Sequence, residues 1–504
     1  MERIVTRAGM RAFEKFAMRR EGIDELALME RAAEHVAAAA ADESPRGEPI
    51  LILCGAGNNG GDGLAALRLL CAAGYDASAL VIGEEEKLSP AAAEQLRRAR
   101  ENGCRVRVQH EAPCVQELAA AGCLIDALFG TGLSRPVKGA YAETIEAVNA
   151  SGVRVLAVDM PSGVDADSGR VLGCAVRADK TITFQYRKRG QRLYPGQELC
   201  GELTVRSISS YGHGSGDDVF EMTDSDFAVM LPPRGKDSHK GKNGRALLVA
   251  GSGRYAGAAL MSACAALRAG AGVLTACVPG KIRDAFYALP EAVCAAAGEG
   301  TGWDEAALAF AAAQLAGKTA VALGSGMGEL ANDSLPIAAL QAKLPLVIDA
   351  DGLNHMAKNP ALLAELHDKV VLTPHPAEFA RLTAQSVEDV TADPIAQAVA
   401  AAKNWGCVVL LKGAVSVIAS PEQTALNCTG NAGLAKGGSG DVLTGLILAL
   451  LSQGLEPFDA ACAGAYLLGV SADAAMKLLG NRMLMSRDIV GAVADTLARP
   501  FSGC

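Results

Sequence analysis

The chain has 504 residues, which is too long for one ordinary hydrophobic core and predicts two or three domains, with two as the working number. Half of the residues are hydrophobic and only 4% are aromatic, and this balance favours an α/β protein over a β-sandwich or a disordered chain. The formal net charge is -9 without a run of like charges, which argues against nucleic acid as a partner.

The cysteine pattern and the hydropathy indicate the cellular compartment of the protein. The 14 cysteines stand singly in apolar stretches without a CxxC pair, as thiols of a reducing cytosol do. The first residues lack the apolar core of a signal peptide, and no uninterrupted apolar run is long enough to span a bilayer. We therefore expect a cytoplasmic protein without a membrane partner. Its Ala- and Leu-rich helical faces suit a symmetric homo-oligomer.

The first half of the chain predicts alternating strands and helices. Residues 1 to about 40 have an apolar helical pattern that the loop ESPRGEP ends, and the strand ILILC at 50–54 follows. Further β-rich runs at 77–83, 123–130 and 153–163 are separated by helical segments, which predicts a parallel sheet with crossover helices. Two more runs, at 180–188 and 201–209, have no long helix between them and are predicted to lie at the edge of the sheet.

A linker divides the chain. Ser and Gly are frequent at 209–218, and Pro and Lys are added at 232–244, so we place the boundary between about 212 and 225. The predicted domains are 1–215 and 222–504. A second series of strands begins with RALLVAGS, and a long helical stretch from Asp441 to about Leu479 closes it. Neither half repeats the other, so two different α/β domains are expected.

The loop CGAGNNGGDG at 54–63 is the first candidate site. Its glycines satisfy GxGxxG between a strand and a helix, which by itself suits a Rossmann dinucleotide turn. A carboxylate such as Asp62 would repel a pyrophosphate, however, whereas Asn58 and Asn59 suit a cation or the amide and hydroxyl groups of a ligand. The structural alternative is a turn whose Asn and Gly merely supply left-handed φ angles.

Two more predicted strands end in acids, Asp126 and Asp159. The carboxyl ends of parallel strands face one crevice, so both acids should converge with the asparagine loop. The alternative is that each acid only caps a helix or braces a loop. An Asp beside a cation can move a proton on and off one carbon, which is what an epimerisation requires.

The segments NNGGDG, IDALFGTGL, VDMPSGVDADSG and ADKTITF together resemble the YjeF N-terminal family of NAD(P)H-hydrate epimerases over residues 1 to about 212. The resemblance implies a Rossmann-like three-layer domain, with Asp159 as the acid/base. It implies a potassium ion on Asn59, Asp126 and Ser162. The hydrate would be bound by Asn58, Asn59, Gly60, Gly61, Asp62, Gly130, Thr131, Gly132, Leu133, Ser134, Arg135 and Pro136.

The loop GGSGD at 437–441 is the second candidate site. Its glycines can present backbone N–H groups at a helix start, and Asp441 stands in the first turn, near a bound phosphate. Amides that neutralise charge and an acid that takes a proton suit phosphoryl transfer to or from a hydroxyl. There is no GxxxxGK[ST] P-loop. The alternative is a glycine turn that only lets two helices pack.

Polar residues at other strand ends flank this loop. Lys412 and Gly413 end a strand and offer a cation to phosphate, although such a lysine alone is usually a solvated loop residue. His375 lies between two prolines with Glu378 one turn into the next helix, and it could instead belong to a rigid turn. The segments GSGMG at 324–328 and DADGLN at 349–354 add two further polar strand ends.

In order, HKGKNGRALLVAGS, AALRAGAGVLT, LPEAV, DADGLN, TPHPAEFARL, LLKGA and GGSGDVLTG resemble the YjeF C-terminal family over roughly residues 225 to 500. The resemblance implies a ribokinase-like fold and an ADP- or ATP-dependent NAD(P)H-hydrate dehydratase, with Mg²⁺ as a candidate companion of the nucleotide. Asp441 would be catalytic, and Gly326, His375 and Glu378 would bind the hydrate. The nucleotide would be held by Lys412, Gly413, Ala414, Val415, Ser416, Asn431, Lys436, Gly437, Gly438, Ser439 and Gly440.

The sequence therefore predicts a bifunctional enzyme that epimerises hydrated NADH and NADPH and dehydrates one epimer. The alternative is a ribokinase-like small-molecule kinase whose N-terminal domain binds a ligand without catalysis. A dehydrogenase is less well supported, because no hydride-acceptor site follows the GxGxxG loop.

Overall fold

The computed structural model describes residues 1–44, 47–212, 214, 219–480 and 482–498. The chain forms two compact units, Arg3–Val219 and Phe220–Cys504, the second joined by Met1–Glu2. This break falls inside the interval 215–222 that separates the predicted domains. Residues 213 and 215–218 of the predicted linker, and residues 45–46 of the predicted loop ESPRGEP, lie outside the described residues.

The first unit alternates strands with helices. Its strands are β1 (Glu2–Val5), β2 (Ile50–Cys54), β3 (Ala77–Ile82), β4 (Arg105–Gln109), β5 (Cys123–Ala127), β6 (Arg154–Val158), β7 (Lys180–Phe184), β8 (Arg187–Lys188) and β9 (Glu202–Arg206). Its helices are α1 (Arg7–Glu21), α2 (Glu25–Glu43), α3 (Asn58–Ala72), α4 (Pro90–Glu101), α5 (Val115–Ala119), α6 (Ala140–Ala150) and α7 (Gly196–Leu199). Seven parallel strands form a sheet in the order β4-β3-β2-β5-β6-β7-β9, and β1 pairs with β8.

Apolar side chains cover both faces of this sheet. Ile50 and Ile52 of β2 belong to one buried cluster, whereas the adjacent Leu53 belongs to another. Neighbouring residues of a strand point to opposite faces, so each face packs against its own helical layer. This arrangement confirms the predicted α/β class and the three-layer architecture.

Residues 1 to 40 are largely helical, as predicted, whereas the sheet differs from the prediction in two places. Residues 1 to 40 are a strand and two helices, because Gly22 adopts a left-handed φ of 69° and ends α1. Asp24 then caps α2 by accepting a hydrogen bond from the Ala27 amide. Strand β7 lies between β6 and β9, so only β9 is at the edge. Strand β4 was missed, because its RVRVQ pattern carries charges on an edge strand.

The second unit contains one long mixed sheet. Its strands are β10 (Val219–Glu221), β11 (Arg245–Val249), β12 (Val273–Pro279), β13 (Val293–Ala297), β14 (Ala320–Leu323), β15 (Leu346–Ile348), β16 (Val370–Leu372), β17 (Val408–Leu411), β18 (Ser416–Ala419) and β19 (Thr424–Asn427). They run in the order β13-β12-β11-β14-β15-β16-β17-β18-β19-β10, and only the β17–β18 and β18–β19 pairs are antiparallel.

Helices accompany these strands. They are α8 (Asp224–Met230), α9 (Ala256–Arg268), α10 (Glu305–Ala313), α11 (Ser334–Gln341), α12 (Asp351–Lys358), α13 (Pro376–Thr383), α14 (Val387–Ala392), α15 (Pro394–Trp405), α16 (Ser439–Ser452), α17 (Pro457–Leu479) and α18 (Ser486–Ala498). The stretch predicted as one long helix from 441 to 479 is thus two helices, with Gly454 at a φ of 96° between them. Helix α16 packs so closely on α9 that a Cβ on Gly445 would lie 2.1 Å from the Ser262 carbonyl oxygen.

One helix of the described part, α17, is long and apolar enough to cross a membrane by length and composition. More than half of its apolar window is buried inside the protein. A core helix of a soluble protein meets the same two criteria, so this property is weak evidence for a membrane span.

Candidate active sites

A cavity of about 630 Å³ opens in the first unit where β2, β5 and β6 end. The predicted residues Asn58, Asn59 and Asp62, the loop 130–135, and Asp159 line it. Topology therefore brings together the three strand ends that the sequence separates by up to a hundred residues. Five predicted residues do not line it: Gly60 and Gly61 are buried in helix packing, Asp126 and Ser162 are fully buried, and Pro136 is exposed.

The glycines of the first loop are required for packing rather than for left-handed turns. None of the residues 55–63, all of them described, has a positive φ. A Cβ on Gly55 would lie 2.0 Å from the Leu128 carbonyl oxygen, and one on Gly60 would lie 1.9 Å from the Gly55 carbonyl oxygen. A Cβ on Gly57 would meet no atom within 4 Å, which leaves the backbone open to a ligand.

Asp126 is fully buried beside Ser162. The Ser162 hydroxyl donates to Asp126 Oδ1 at 2.6 Å, and the Ser162 amide donates to Oδ2 at 2.8 Å. No basic side chain among the described residues pairs with this carboxyl, and burial raises its pKa to about 6. Asn59 Oδ1 packs against Gly130, and Asn59 Nδ2 has no hydrogen-bond partner in the described part of the chain.

These oxygens fit a monovalent cation. A buried carboxylate without a counter-charge gains from a nearby cation, and amide, hydroxyl and carboxylate oxygens are hard ligands. Among the described residues there is no group of three or more His, Cys, Asp or Glu that could hold a metal ion. The side chains of Asn59, Asp126 and Ser162 offer only oxygen atoms as ligands, the type that hard cations prefer.

Asp159 is held in one orientation by a buried lysine. Lys188 Nζ contacts Asp159 Oδ1 at 2.5 Å and also donates to the Thr183 hydroxyl at 2.7 Å. The Gln191 amide donates to the Asp159 carbonyl at 2.6 Å. Asp159 adopts a φ of 65°, a conformation that costs free energy in a non-glycine residue and concentrates at functional sites. A fixed carboxylate at the cavity wall suits a proton acceptor.

Three further carboxyl groups face this cavity, those of Glu14, Glu25 and Asp62, and the sequence analysis missed Glu14 on α1 and Glu25 on α2. Burial, and secondarily the charge of Asp159, raise the pKa of Glu14 to about 7. The same two causes raise the pKa of Asp62 well above its usual value. The cavity therefore combines a lysine-bound carboxylate with carboxyl groups that can carry a proton near neutral pH.

In the second unit, Lys412 pairs with a buried acid. Its ammonium contacts Asp349 Oδ1 at 2.8 Å and lies 3.8 Å from Glu378 Oε2. The Thr444 hydroxyl of α16 donates to the other Asp349 oxygen at 2.9 Å. Burial opposes the charged form of Lys412, but Asp349 and Glu378 outweigh it and raise its pKa. The structure thus assigns Lys412 a carboxylate partner, where the sequence indicated only a phosphate contact.

Asp441 lies in the first turn of α16 and forms no ion pair with any of the described residues. Burial, followed by the charge of Asp349, raises its pKa to about 6. The Ser262 hydroxyl of α9 donates to the Asp441 carbonyl at 2.9 Å and to the Ser325 hydroxyl at 3.2 Å, which ties this turn to the 324–328 loop. A carboxylate of raised pKa is a better proton acceptor than an ordinary aspartate.

The glycines before Asp441 are accessible. Gly437 is exposed, and Gly438 has a φ of 97°, where a Cβ would lie 2.9 Å from Ser486 Oγ. A Cβ on Gly440 would lie 3.5 Å from Lys412 Nζ, which places the loop beside the lysine. Ser439 Oγ is buried and has no partner in the described part of the chain. The Asp349 Oδ2 atom lies at the same 3.5 Å from the Gly440 Cβ position, so the loop borders the Lys412–Asp349 ion pair.

His375 and Gly326 complete the predicted hydrate residues of this unit. His375 Nδ1 caps α13 by accepting from the amides of Ala377 and Glu378, and the Glu378 carboxylate accepts from the His375 amide at 2.8 Å. Burial lowers the pKa of His375, so the ring favours its neutral form. Gly326 has a φ of 63°, and a Cβ there would lie 2.7 Å from the Tyr255 Cβ.

The remaining predicted nucleotide residues have structural contacts of their own. Residues 412–415 form the turn between antiparallel β17 and β18, and Ser416 is the first residue of β18. Asn431 is fixed by Asp473 of α17, whose carboxylate accepts from its side-chain amide at 2.8 Å. Lys436 Nζ donates to the carbonyls of Arg482 and Leu484 at 2.6 Å. Lys436 thus braces the chain before α18, and its ammonium is already occupied by protein oxygens.

Other functional partners were also missed. Lys188 and Thr183 lie in the run ADKTITFQYRK, which predicted only a strand, and Asp349 begins DADGLN, which predicted only a polar strand end. An acid directly after an apolar strand was a usable signal for Asp349. Glu14 had none, because its helix pattern looked ordinary.

Two family models match the chain, one in each unit. A family model described as YjeF-related protein N-terminus matches residues 25–190, and one described as NAD(P)H-hydrate dehydratase matches residues 246–490. A bifunctional NAD(P)H-hydrate repair enzyme of Thermofilum pendens is 39% identical over 97% of this chain and 95% of that protein. The chain belongs to the bifunctional NAD(P)H-hydrate repair family.

Other members of the repair family match over a similar range. The enzyme of that name from Moorella thermoacetica is 35% identical over 97% of this chain and 95% of that protein. A solved ADP/ATP-dependent NAD(P)H-hydrate dehydratase of Bacillus subtilis, co-crystallised with ATP and Mg²⁺, is 31% identical. It covers 55% of this chain and 98% of its own, with a TM-score of 0.48.

Proposed function

We propose that this chain repairs hydrated NADH and NADPH in two steps. The first unit epimerises the R and S hydrates, and the second dehydrates the S form at the expense of ADP or ATP, releasing phosphate and AMP or ADP. Family membership over 97% of the chain supports the proposal. The observation that carries it is the accessible GGSG loop, which leads into Asp441 beside the Lys412–Asp349 pair.

The dehydration requires a better leaving group than a hydroxyl. Asp441 takes the proton from the ring hydroxyl while the terminal phosphoryl group of the nucleotide is transferred to the hydroxyl oxygen. The amides of residues 437–440 stabilise the charge on the phosphoryl oxygens. Phosphate then leaves with the electron pair of its bond to the ring carbon, and loss of a ring proton restores the double bond.

The epimerisation requires a proton acceptor and a proton donor in one cavity. Asp159 accepts a proton from the hydrate, because Lys188 keeps its carboxylate fixed. Glu14, with a pKa of about 7, supplies a proton to the same substrate. As the hydroxyl proton passes to Asp159, the oxygen becomes a carbonyl, the bond from its carbon to the ring nitrogen breaks, and the nitrogen electron pair takes the proton of Glu14. Attack of the nitrogen on the other face of the carbonyl reverses both proton transfers and inverts the centre. Loop 130–135 and the asparagines hold the hydrate during this exchange.

We also propose which ions the protein binds, where in the cell it acts and how it assembles. Asn59, Asp126 and Ser162 would hold potassium, whose charge would balance buried Asp126 and orient the nearby loops. Mg²⁺ would accompany the nucleotide at residues 412–416 and 431–440 and offset phosphate charge. We propose a cytoplasmic homo-oligomer that acts on small molecules and binds neither nucleic acid nor membrane.

A product assay tests the dehydratase. Purified full-length protein is incubated with hydrated NADH and ADP, and the absorbance of reduced nicotinamide and inorganic phosphate are followed together. Equal release of phosphate and NADH is expected. Accumulation of a stable phosphoester without NADH would identify a small-molecule kinase and overturn the proposal.

A further inference from the structure

The ionisable side chains that line the cavity of the first unit have an uneven distribution. Four are acidic: Glu14, Glu25, Asp62 and Asp159. Among the described lining residues, the basic ones are Arg11 and Arg135 alone. The Asp159 side chain is only 13% exposed, whereas both arginines are exposed. Glu25 is exposed as well, so the acidic interior is formed by Glu14, Asp62 and Asp159, and both arginines lie with Glu25 at the rim.

The two rim arginines differ from other arginines of this unit. Arg7, Arg31 and Arg68 each form an ion pair with an acidic side chain. Arg11 and Arg135 have no ion-pair partner in the described part of the chain. They come from separate elements, α1 and the loop after β5, yet border one opening. The charge of Arg11 acts on Glu14, one helical turn away, but neither guanidinium group forms an ion pair within the described residues. Two such groups at one cavity suit an anion with several oxygens.

A dinucleotide poses an electrostatic problem for this cavity. Its pyrophosphate carries two negative charges, which the interior carboxylates would repel. The nicotinamide ring of the hydrate is uncharged and suits the interior, where Asp159 and Glu14 meet it. The phosphates must therefore stay at the opening, where the arginines are.

We propose that Arg11 and Arg135 clamp the pyrophosphate of the hydrated dinucleotide and so orient its ring toward Asp159. This inference rests on the proposed epimerase function and extends it to Arg11, which lies outside the predicted substrate residues. Loop residue Arg135 acquires a defined role, a contact with phosphate oxygens rather than with the ring. The clamp sets affinity and orientation, and the proton transfers stay with Asp159 and Glu14.

The test compares Arg11→Gln, Arg11→Lys and the matched control Arg19→Gln in the full-length protein. Arg19 is an exposed arginine of the same helix that does not line the cavity. Steady-state epimerisation of hydrated NADH is measured by separating the two epimers, with spontaneous conversion subtracted. Arg11→Gln should raise KM by about tenfold and leave kcat within about twofold, because a charge-assisted phosphate contact is lost. Arg11→Lys should recover part of the affinity.

Salt provides a readout that a merely structural role of Arg11 would not change. The KM of the wild type should rise with ionic strength, and that of Arg11→Gln should rise less steeply. ADP-dependent dehydration by the second unit should stay unchanged in all variants, which verifies that each protein is intact.

The outcomes separate the two proposals. Failure of the wild type to epimerise would reject the epimerase function itself. Normal wild-type epimerisation with an unchanged KM in Arg11→Gln, an equal effect of Arg19→Gln, or a loss confined to kcat would reject the clamp alone. A rise in KM specific to Arg11, with reduced salt dependence, would support it.

Discussion

The two candidate sites use a buried lysine and an aspartate differently. In the first unit Lys188 binds Asp159 directly and fixes the acid proposed to act on the substrate. In the second unit Lys412 binds the neighbouring Asp349, and Asp441 has no ion-pair partner in the part of the chain that the structure describes. Burial and the charge of Asp349 then raise the pKa of Asp441 to about 6. The Lys188–Asp159 pair fixes the position of the Asp159 carboxylate, whereas the Lys412–Asp349 pair leaves Asp441 as the stronger base.

The largest expected effect comes from removing the stronger base. Asp441→Asn should lower dehydration by about a thousandfold or more, since an amide cannot accept the hydroxyl proton. Nucleotide affinity, measured by calorimetry with ADP, should change by only a few-fold, because the amides of the loop remain. Asp459→Asn, an acid in the first turn of α17, is the matched control and should retain activity. Dehydration at the normal rate would remove Asp441 from the mechanism.

The next effect concerns the fixed acid of the first unit. Asp159→Ala should slow epimerisation by about a hundredfold, so that one hydrate epimer persists beyond spontaneous conversion while the other is dehydrated. Chromatography of the two epimers over time measures this. Exposed Asp42 of α2 provides the control variant, Asp42→Ala. Clearance of both epimers at the wild-type rate would contradict the role of Asp159.

The pH dependence of dehydration tests what sets the basicity of Asp441. The carboxylate is the active form, so the rate should rise with pH through about 6 and fall about tenfold per unit below it. Asp349→Asn removes the neighbouring charge and should move this midpoint to lower pH. Asp368→Asn, at an exposed site, should leave the midpoint unchanged. If the midpoint of Asp349→Asn equals that of the wild type, the charge of Asp349 does not set the basicity of Asp441.

The smallest effect is on stability. The pKa of Asp126 is about 6 in the folded protein and lower in the unfolded chain. As the pH rises from the unfolded-state pKa to about 6, the unfolded chain loses this proton first, so the free energy of unfolding decreases. Potassium bound beside the carboxylate should offset this cost above pH 6 and raise Tm by about 2–4 °C relative to a large organic cation. Asp126→Asn should abolish the difference. A potassium effect that survives in Asp126→Asn would place the ion elsewhere.

The sequence alone predicted candidate residues that belong to a short continuous motif. Asp159 and Asp441 were found because each follows a glycine-rich or strand-end motif, and the parallel topology brought the strand ends together as expected. Partners across segments were not predictable. The Lys188–Asp159 and Lys412–Asp349 contacts depend on which strands are neighbours and on the side-chain conformations between them.

The first helices show a second reason for failure. The apolar pattern of residues 1–40 is helical over most of its length, but Gly22 divides it, and this division separates α1, which carries Arg11 and Glu14, from α2. Local periodicity cannot show where a glycine reverses the chain, nor which helix face reaches a cavity formed by distant strands. Both side chains were therefore seen only as part of an ordinary amphipathic helix.

Mixing the two inactive variants tests most directly whether each acid serves its own reaction. Asp159→Ala and Asp441→Asn are incubated separately and together with both epimers of hydrated NADH and ADP, and recovery of NADH is followed. The account predicts that Asp159→Ala alone stalls with one epimer left, that Asp441→Asn alone recovers no NADH, and that the mixture recovers NADH completely. A mixture that still leaves one epimer unconsumed would contradict the assignment of one complete activity to each unit.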